Sequence, residues 1–119
     1  MRVSKRFSFC AAHYLPGYKG KCSNMHGHTW DVEVACDGEV NKTSGMVIDF
    51  LDLKKFCEGI KSYFDHSLLN DLKFIENPTA ENICTYIFEV FEFWCRDHSL
   101  KVGYVRVWEA EDSMVEKCP

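Results

Sequence analysis

The amino-acid sequence predicts an α+β fold whose strands and helices follow one another in the order ββααββ. Segments near both ends of the chain alternate apolar and polar residues, which is the period of a half-buried strand. Two central segments instead carry apolar residues at helical spacing. The chain has 119 residues, 46% of them hydrophobic. This length suffices for one core but not for two ordinary domains, so we expect a single domain spanning residues 1–119.

The first two predicted strands pair as a hairpin. Each has apolar side chains at every second position, so that one face of the hairpin packs against the core. The segment between them, LPGYKGKCSNMHG, contains three glycines and is predicted to be a loop. The apolar positions are Val3, Phe7, Phe9 and Ala11 in the first strand and Trp30, Val32, Val34 and Cys36 in the second.

Two helices are predicted next. The first lies in DFLDLKKFCEGIKSYF, with Asp49 as its N-cap, and ends near Phe64. The second starts in NPTAEN, with Thr79 as its cap, and runs to about Cys95. The apolar stripes are Leu53, Phe56, Cys57, Ile60, Tyr63 and Phe64 in the first helix and Ile83, Ile87, Val90, Phe91 and Trp94 in the second.

A second hairpin is predicted at the end of the chain. Val105 and Val107 alternate with polar residues in VGYVRVWEA, and the segment from Met114 to Cys118 is its candidate partner. The four strands would form an antiparallel sheet with both helices on one face. Because so small a sheet has edges that need covering, we expect the chain to self-associate.

Composition argues against several classes of function. The net charge of −4 includes no basic tract of the kind that follows a nucleic-acid backbone. No apolar run is long enough for a membrane span, and the N-terminus lacks the apolar core of a signal peptide, so we expect a soluble, cytoplasmic protein. The seven cysteines are scattered and odd in number, which favours free thiols. Lys19 and Lys21 leave a small anionic ligand possible.

Three histidines form the most informative pattern. His26 and His28, in CSNMHGH, are two residues apart and therefore point to one side of an extended segment. His13 ends the first strand on the parity of Phe9 and Ala11, so the hairpin would bring it to the same place. Imidazoles suit zinc, and three protein ligands with an open fourth position are typical of catalytic sites. An alternative is that the histidines are satisfied polar groups without a metal.

Cys22 decides between two kinds of zinc site. As a fourth ligand it would close the site, which would then be structural. As a free thiol it would be a nucleophile or acid–base group and would need a base nearby. His66, which follows Asp65 in FDHSLLN, is the candidate base, although adjacent side chains are poorly placed to hydrogen-bond to each other. The alternative for Asp65 and His66 is a polar pair at the end of a helix.

A carboxylate points toward the apolar side of the last long strand. Glu109 shares parity with Val105 and Val107, and a buried charge needs a partner. A ligand edge with two parallel N–H donors would satisfy both of its oxygens. The alternative is a strand end that reaches water. Glu81 is explained by the dipole of the second helix, since it lies in the first turn.

Six segments follow one another along the chain: FSFCAAHYL, KCSNMHGHTW, GMVIDFLDLK, FDHSLLN, NPTAEN and VRVWEA. In this order they resemble the 6-pyruvoyltetrahydropterin synthase / 6-carboxytetrahydropterin synthase family of the tunnelling fold, over nearly the whole chain. The resemblance implies ββααββ units whose sheets join into a barrel, as a homo-oligomer that is typically a hexamer built as a dimer of trimers. It also implies active sites that lie between subunits.

The resemblance implies a role for each residue that matches the family's motifs. Zinc would acidify the side-chain hydroxyls of a dihydropterin, while the cysteine and histidine move protons. The implied zinc ligands are His13, His26 and His28, the catalytic cysteine is Cys22, its partner pair is Asp65 and His66, and the glutamate that binds the pterin ring is Glu109.

The spacing of CSNMHGH resembles one branch of this family. Three residues between Cys22 and HGH are similar to the 6-carboxytetrahydropterin synthases of queuosine biosynthesis. The implied reaction is that of a lyase, which converts 7,8-dihydroneopterin triphosphate to 6-carboxytetrahydropterin, acetaldehyde and triphosphate. A 6-pyruvoyltetrahydropterin synthase acting on the same substrate and a zinc-stabilised oligomeric binding module are the alternatives. Trp30 and Ala110 stand where the family often has tyrosine and threonine.

Overall fold

Five strands and two helices build the molecule, and the predicted order of four strands and two helices is confirmed. The computed structural model describes residues 1–119. A two-residue strand between the helices is an addition, because so short a segment has no periodicity to reveal it. The strands are β1 (Arg2–His13), β2 (His26–Asp37), β3 (Ser67–Leu68), β4 (Lys101–Ala110) and β5 (Ser113–Lys117), and the helices are α1 (Phe50–Phe64) and α2 (Ala80–Asp97).

The strands form one sheet in the order β3-β1-β2-β4-β5. β1 and β2 pair antiparallel along their whole length, from Arg2 opposite Asp37 to His13 opposite His26. β3 runs parallel to β1 and pairs only with Ala11 and Ala12, so the sheet is antiparallel except at this edge. Most of the outer edge of β1 therefore has no strand partner.

The helix boundaries follow from the predicted caps. The Asp49 carboxylate accepts a hydrogen bond from the Leu51 N–H (2.8 Å), and the Thr79 hydroxyl accepts one from the Asn82 N–H (3.2 Å). α1 ends at Phe64 as predicted, because Asp65 adopts an extended conformation. α2 continues two residues beyond the predicted end at Cys95. No helix of the structure combines the length and the apolar character that a membrane span requires.

Both helices pack on one face of the sheet and cover most of the predicted apolar stripes there. The prediction was wrong for Tyr63, which is 63% exposed, because it lies at the margin of the α1 stripe that Leu53, Cys57, Ile60 and Phe64 bury. Phe9 of β1 stacks between Trp30 of β2 and Phe64 of α1, with ring centroids 6.0 and 5.2 Å apart. Val105 and Val107 of β4 are fully buried in the same core. His13 and His28 share the parity of these core residues, so the fold brings them to one end of the covered face.

Candidate metal centre and acid–base groups

Three histidine side chains converge where β1 ends and β2 begins. The strand register places His13 directly opposite His26 and places His28 opposite Ala11. The ligand nitrogens of the three rings lie within 4.8 Å of one another, and the Nε2 atoms of His13 and His26 are only 3.1 Å apart. The sequence prediction that these three histidines meet is therefore confirmed by the fold.

Main-chain carbonyl groups fix the orientation of two of the rings. His13 Nδ1 lies 2.8 Å from the carbonyl oxygen of Pro78, and His26 Nδ1 lies 2.7 Å from that of Asn24. Because a carbonyl oxygen only accepts, both Nδ1 atoms must carry the proton and donate it. In the neutral rings the two Nε2 atoms then present lone pairs to each other. This arrangement is repulsive unless a cation lies between them.

The third ring offers a nitrogen that has no partner. His28 Nε2 is buried and makes no hydrogen bond. Burial lowers the pKa of His28 below its ordinary value of 6.5; the Glu109 carboxylate opposes this shift, and His13 and His26 add to it. The ring is therefore held in its neutral form, which is the form that binds a metal ion.

These observations fit a metal ion bound by three histidines. Two nitrogens on one tetrahedral zinc are roughly 3.3 Å apart, given zinc–nitrogen bonds of about 2.0–2.1 Å, which is close to the 3.1 Å between His13 and His26. Hydrogen bonds from Nδ1 to carbonyl groups are the usual outer contacts of ligating histidines. The cluster can hold a metal ion with three protein ligands and one open position.

Glu109 faces this cluster from the end of β4. One carboxylate oxygen lies 3.6 Å from His28 Nε2 and the other lies 4.0 Å from His13 Nε2. The pairing of β4 with β5 is irregular at this point, because Trp108 faces Met114 and Ala110 faces Ser113, so that Glu109 has no opposite residue. A bulge of this kind re-aims a side chain. The carboxylate is one-third exposed and remains accessible to a ligand.

Cys22 lies outside the histidine cluster. It belongs to a short 3-10 turn, Lys21–Ser23, in the loop between β1 and β2, and its side chain is half-buried. Its carbonyl oxygen accepts a hydrogen bond from the Leu15 N–H (2.8 Å), whereas its thiol makes none. The sulfur is not among the ligand atoms that converge in the cluster. The structure thus favours an open three-histidine site over a closed one.

Asp65 and His66 are hydrogen-bonded to each other just after α1. His66 Nδ1 lies 2.9 Å from Asp65 Oδ2, which corrects the expectation that adjacent side chains are poorly placed for this contact. The reason is the left-handed backbone of His66 (φ 57°), which turns the ring toward its neighbour. The other Asp65 oxygen accepts from the Cys10 N–H (2.9 Å). Two hydrogen bonds lower the pKa of Asp65 below its ordinary 3.8. The bond from the Cys10 N–H has the larger effect, and the bond from the His66 ring has the smaller one.

Within one chain, the His66 side chain hydrogen-bonds to Asp65 and not to Cys22. The His66 side chain is 83% exposed, and Cys22 does not line the groove beside it. His66 and His28 do line one surface groove, of about 490 Å³, together with Cys10 and Thr29. A second cavity, of about 440 Å³, is lined by Glu109, Glu81 and residues of β5.

Comparisons with known proteins agree with this geometry. A family model described as "6-pyruvoyl tetrahydropterin synthase" matches residues 2–117. The chain belongs to this family. Its fold is also that of a solved family member: the structure of 6-pyruvoyl tetrahydropterin synthase from Caenorhabditis elegans matches with a TM-score of 0.89 at 30% identity, covering 100% of this chain and 95% of that one.

Two curated relatives of this chain carry different names. One, from Archaeoglobus fulgidus, is named "Putative 6-carboxy-5,6,7,8-tetrahydropterin synthase" and is 48% identical over 92% of this chain and 88% of its own length. The other, from Pyrococcus furiosus, is named "Dihydroneopterin monophosphate aldolase" and is 43% identical over 97% of this chain and 95% of its own length. The family is therefore certain, whereas the relatives point to more than one reaction.

Sequence reasoning missed the groups that support the site. The carbonyl groups of Pro78 and Asn24 orient two of the rings. Because every residue has a main-chain carbonyl group, the side chains at these positions do not predict the contacts. The proximity of Glu109 to the histidines was missed as well, because it depends on the pairing of β2 with β4. The nearest available signal was the shared parity of Glu109, Val105 and Val107, which placed the carboxylate on the correct face.

Proposed function

We propose that this protein is a zinc-dependent 6-carboxy-5,6,7,8-tetrahydropterin synthase of queuosine biosynthesis. It would be a lyase that converts 7,8-dihydroneopterin triphosphate to 6-carboxytetrahydropterin, acetaldehyde and triphosphate. The observation that carries the proposal is the convergence of three imidazole nitrogens, one of them buried without a partner, beside the Glu109 carboxylate. The relative from Archaeoglobus fulgidus and the spacing between Cys22 and His26 support this branch of the family.

His13, His26 and His28 would hold the zinc ion through Nε2. When bound, zinc would supply Lewis-acid chemistry to oxygen atoms of the substrate side chain. The two carbonyl groups that accept from His13 and His26 would keep these rings in the ligating tautomer. Their placement within one chain means that the metal half of the site does not depend on a partner.

Glu109 would bind the pterin ring. A dihydropterin presents parallel N–H donors at its 2-amino-4-oxo edge, and the two oxygens of a carboxylate accept such a pair. The adjacent cavity of about 440 Å³ is large enough for a bicyclic ring. Since the same carboxylate faces His13 and His28, the pterin would be held with its side chain close to the histidine cluster.

Cys22 and His66 would move protons. The Asp65 carboxylate accepts a hydrogen bond from Nδ1 of His66. Nε2 of that ring would therefore be free to take a proton from a hydroxyl of the substrate side chain or to return one to it. The Cys22 sulfur would exchange a proton at a side-chain carbon. Lys19 and Lys21, which are exposed beside Cys22, would contact the triphosphate. We further propose a cytoplasmic homo-oligomer, a hexamer of two trimers, in which neighbouring chains complete each site.

Product analysis tests this function. The zinc-loaded protein would be incubated with 7,8-dihydroneopterin triphosphate, the pterin products identified by mass, and acetaldehyde assayed in parallel. 6-Carboxytetrahydropterin with an equal amount of acetaldehyde is the expected result. A product that keeps the three-carbon side chain would assign the chain to the pyruvoyl branch instead. Unchanged substrate from folded, zinc-loaded protein would contradict both.

A second candidate function is retro-aldol cleavage of the side chain of dihydroneopterin monophosphate. The observation that favours it is the 43% identity to the aldolase from Pyrococcus furiosus, which extends over 97% of this chain. The same assay discriminates when dihydroneopterin monophosphate is offered as a second substrate. Faster consumption of the monophosphate, with cleavage of its side chain and no release of acetaldehyde, would support the aldolase.

A further inference from the structure

The side chain of Asn70 extends the β1–β3 ladder beyond the end of β3. β3 stops at Leu68, and the chain then turns into a 3-10 turn, Leu69–Asp71, so no strand lies beside Tyr14. Asn70 fills that place: its Oδ1 accepts from the Tyr14 N–H (2.9 Å) and its Nδ2 donates to the Tyr14 carbonyl (2.8 Å). One amide therefore satisfies both main-chain groups of Tyr14, as a neighbouring strand would.

Tyr14 lies between two parts of the candidate site. The preceding residue is His13, whose Nε2 belongs to the histidine cluster. The N–H of the following residue, Leu15, donates to the Cys22 carbonyl (2.8 Å) and so ties the loop that carries the thiol. The Tyr14 backbone is thus a link between His13 of the histidine cluster and the loop that carries Cys22.

We propose that Asn70 is a positioning residue that holds His13 and Cys22 in their mutual arrangement. The expected effect of Asn70 on metal binding requires only the histidine cluster, whereas its expected effect on turnover rests on the proposed function. Without the amide, the half-buried N–H and carbonyl groups of Tyr14 lose their hydrogen-bond partners, which raises the free energy of the folded chain. The Tyr14 backbone would then shift toward water to regain partners. Such a shift moves His13 at the end of β1.

A cobalt titration tests the proposal without relying on turnover. Asn70→Ala is compared with Asn41→Ala, because the Asn41 side chain also makes two hydrogen bonds to main chain, from the N–H groups of Thr43 and Ser44. Asn41 lies beyond the opposite end of β2 from His26, and a strand of 12 residues spans roughly 36 Å. We expect Asn70→Ala to weaken Co²⁺ binding about 10- to 100-fold and to change the visible spectrum of the bound ion.

The Asn41→Ala control shows which effects are expected from the loss of hydrogen bonds that only stabilise the fold. Asn41→Ala should lower the melting temperature without changing Co²⁺ affinity or spectrum. If Asn70→Ala behaves in the same way, the proposal is wrong. Should Asn70→Ala not fold, Asn70→Asp serves instead: it keeps the acceptor for the Tyr14 N–H but has no donor for the Tyr14 carbonyl, and a wild-type Co²⁺ affinity and spectrum in that variant would equally overturn the proposal.

Turnover provides the second measurement. With an active wild-type protein, Asn70→Ala should lower kcat at least about 10-fold with a smaller change in KM, since Glu109 and not Asn70 would bind the pterin. A wild-type protein that binds Co²⁺ but makes no pterin product would end the proposed function, while the Co²⁺ comparison would still decide the role of Asn70. A wild-type protein that binds no Co²⁺ would overturn the positioning role.

Discussion

The histidine cluster and the Asp65–His66 pair are built in opposite ways. The cluster lies on the covered face of the sheet: His13 is 1% exposed, and two of its three rings are held by main-chain carbonyl groups. The pair lies at the sheet edge, where the His66 ring is 83% exposed and is held by Asp65 alone. The histidine cluster is largely buried and oriented by groups of its own chain, whereas the His66 ring faces solvent.

In the proposed homo-oligomer these two groups would have different roles. A histidine cluster that is fixed within one chain would bind its metal ion before the chains assemble. The exposed imidazole of His66, next to the open edge of β1, would be in a position to serve a neighbouring chain of that oligomer.

Removing a histidine of the cluster should abolish metal binding. For His26→Ala we expect the zinc affinity to fall by at least about 100-fold, because loss of a ligand exceeds the cost of losing an outer contact. Zinc content after dialysis measures the effect. His98→Ala is the matched control, since His98 Nδ1 also bonds to a carbonyl oxygen, that of Trp94, but the residue is exposed just after the end of α2. Equal zinc contents in the two variants would refute the metal site.

Cys22→Ala should separate catalysis from metal binding. We expect turnover to fall about 10²- to 10⁴-fold, the range typical of a lost acid–base group, while zinc content stays at the wild-type level. Both are measured on the same preparation. Cys118→Ala is the control, because its thiol is also free and lies on the C-terminal tail. A Cys22→Ala protein that loses its zinc would support the binding-module alternative instead.

Mixing two inactive variants should restore activity if the acid–base groups come from different chains. Cys22→Ala and His66→Ala would be produced together in one cell, so that mixed oligomers form. Random assembly leaves about one quarter of the sites with both groups, so we expect roughly a quarter of wild-type turnover. The reference is each variant produced alone. A mixture that is no more active than the separate variants would show that one chain supplies both groups.

The Asp65 carboxylate should make a small contribution to acid stability. Its pKa is lower in the folded chain than its ordinary 3.8, so the unfolded chain binds more protons and the contribution is lost as the pH falls below that value. Melting curves of the metal-free protein should therefore converge with those of Asp65→Asn in acid, after differing by a few degrees at neutral pH. Parallel curves at every pH would contradict this account.

The fold was largely predictable because its signals are periodic. β1 and β2 alternate over most of their length, and both helix caps are side chains that the sequence displays, Asp49 and Thr79. The convergence of the histidines followed from strand parity together with the predicted hairpin pairing of β1 and β2. β3 was missed because two residues have no period, and the bulge at Glu109 was missed because it depends on which residues of β5 face β4.

The contact between Asp65 and His66 could not be predicted without knowing the backbone conformation of His66. Side-chain chemistry indicated that His66 is a base, but it gave no sign that the residue is left-handed, a conformation that is uncommon outside glycine. That conformation creates the contact with Asp65. Whether His66 meets Cys22 was equally beyond the sequence, because the answer depends on contacts between elements that are far apart in the chain.

The carbonyl oxygens that accept from His13 and His26 belong to the main chain. Substitution at residue 78 or 24 therefore leaves the acceptor in place as long as the backbone keeps its path. The tautomers of these two rings are thus set by the path of the backbone and not by the identity of the side chains around them. A comparison of side chains alone would find nothing at these two positions, although both rings are oriented there.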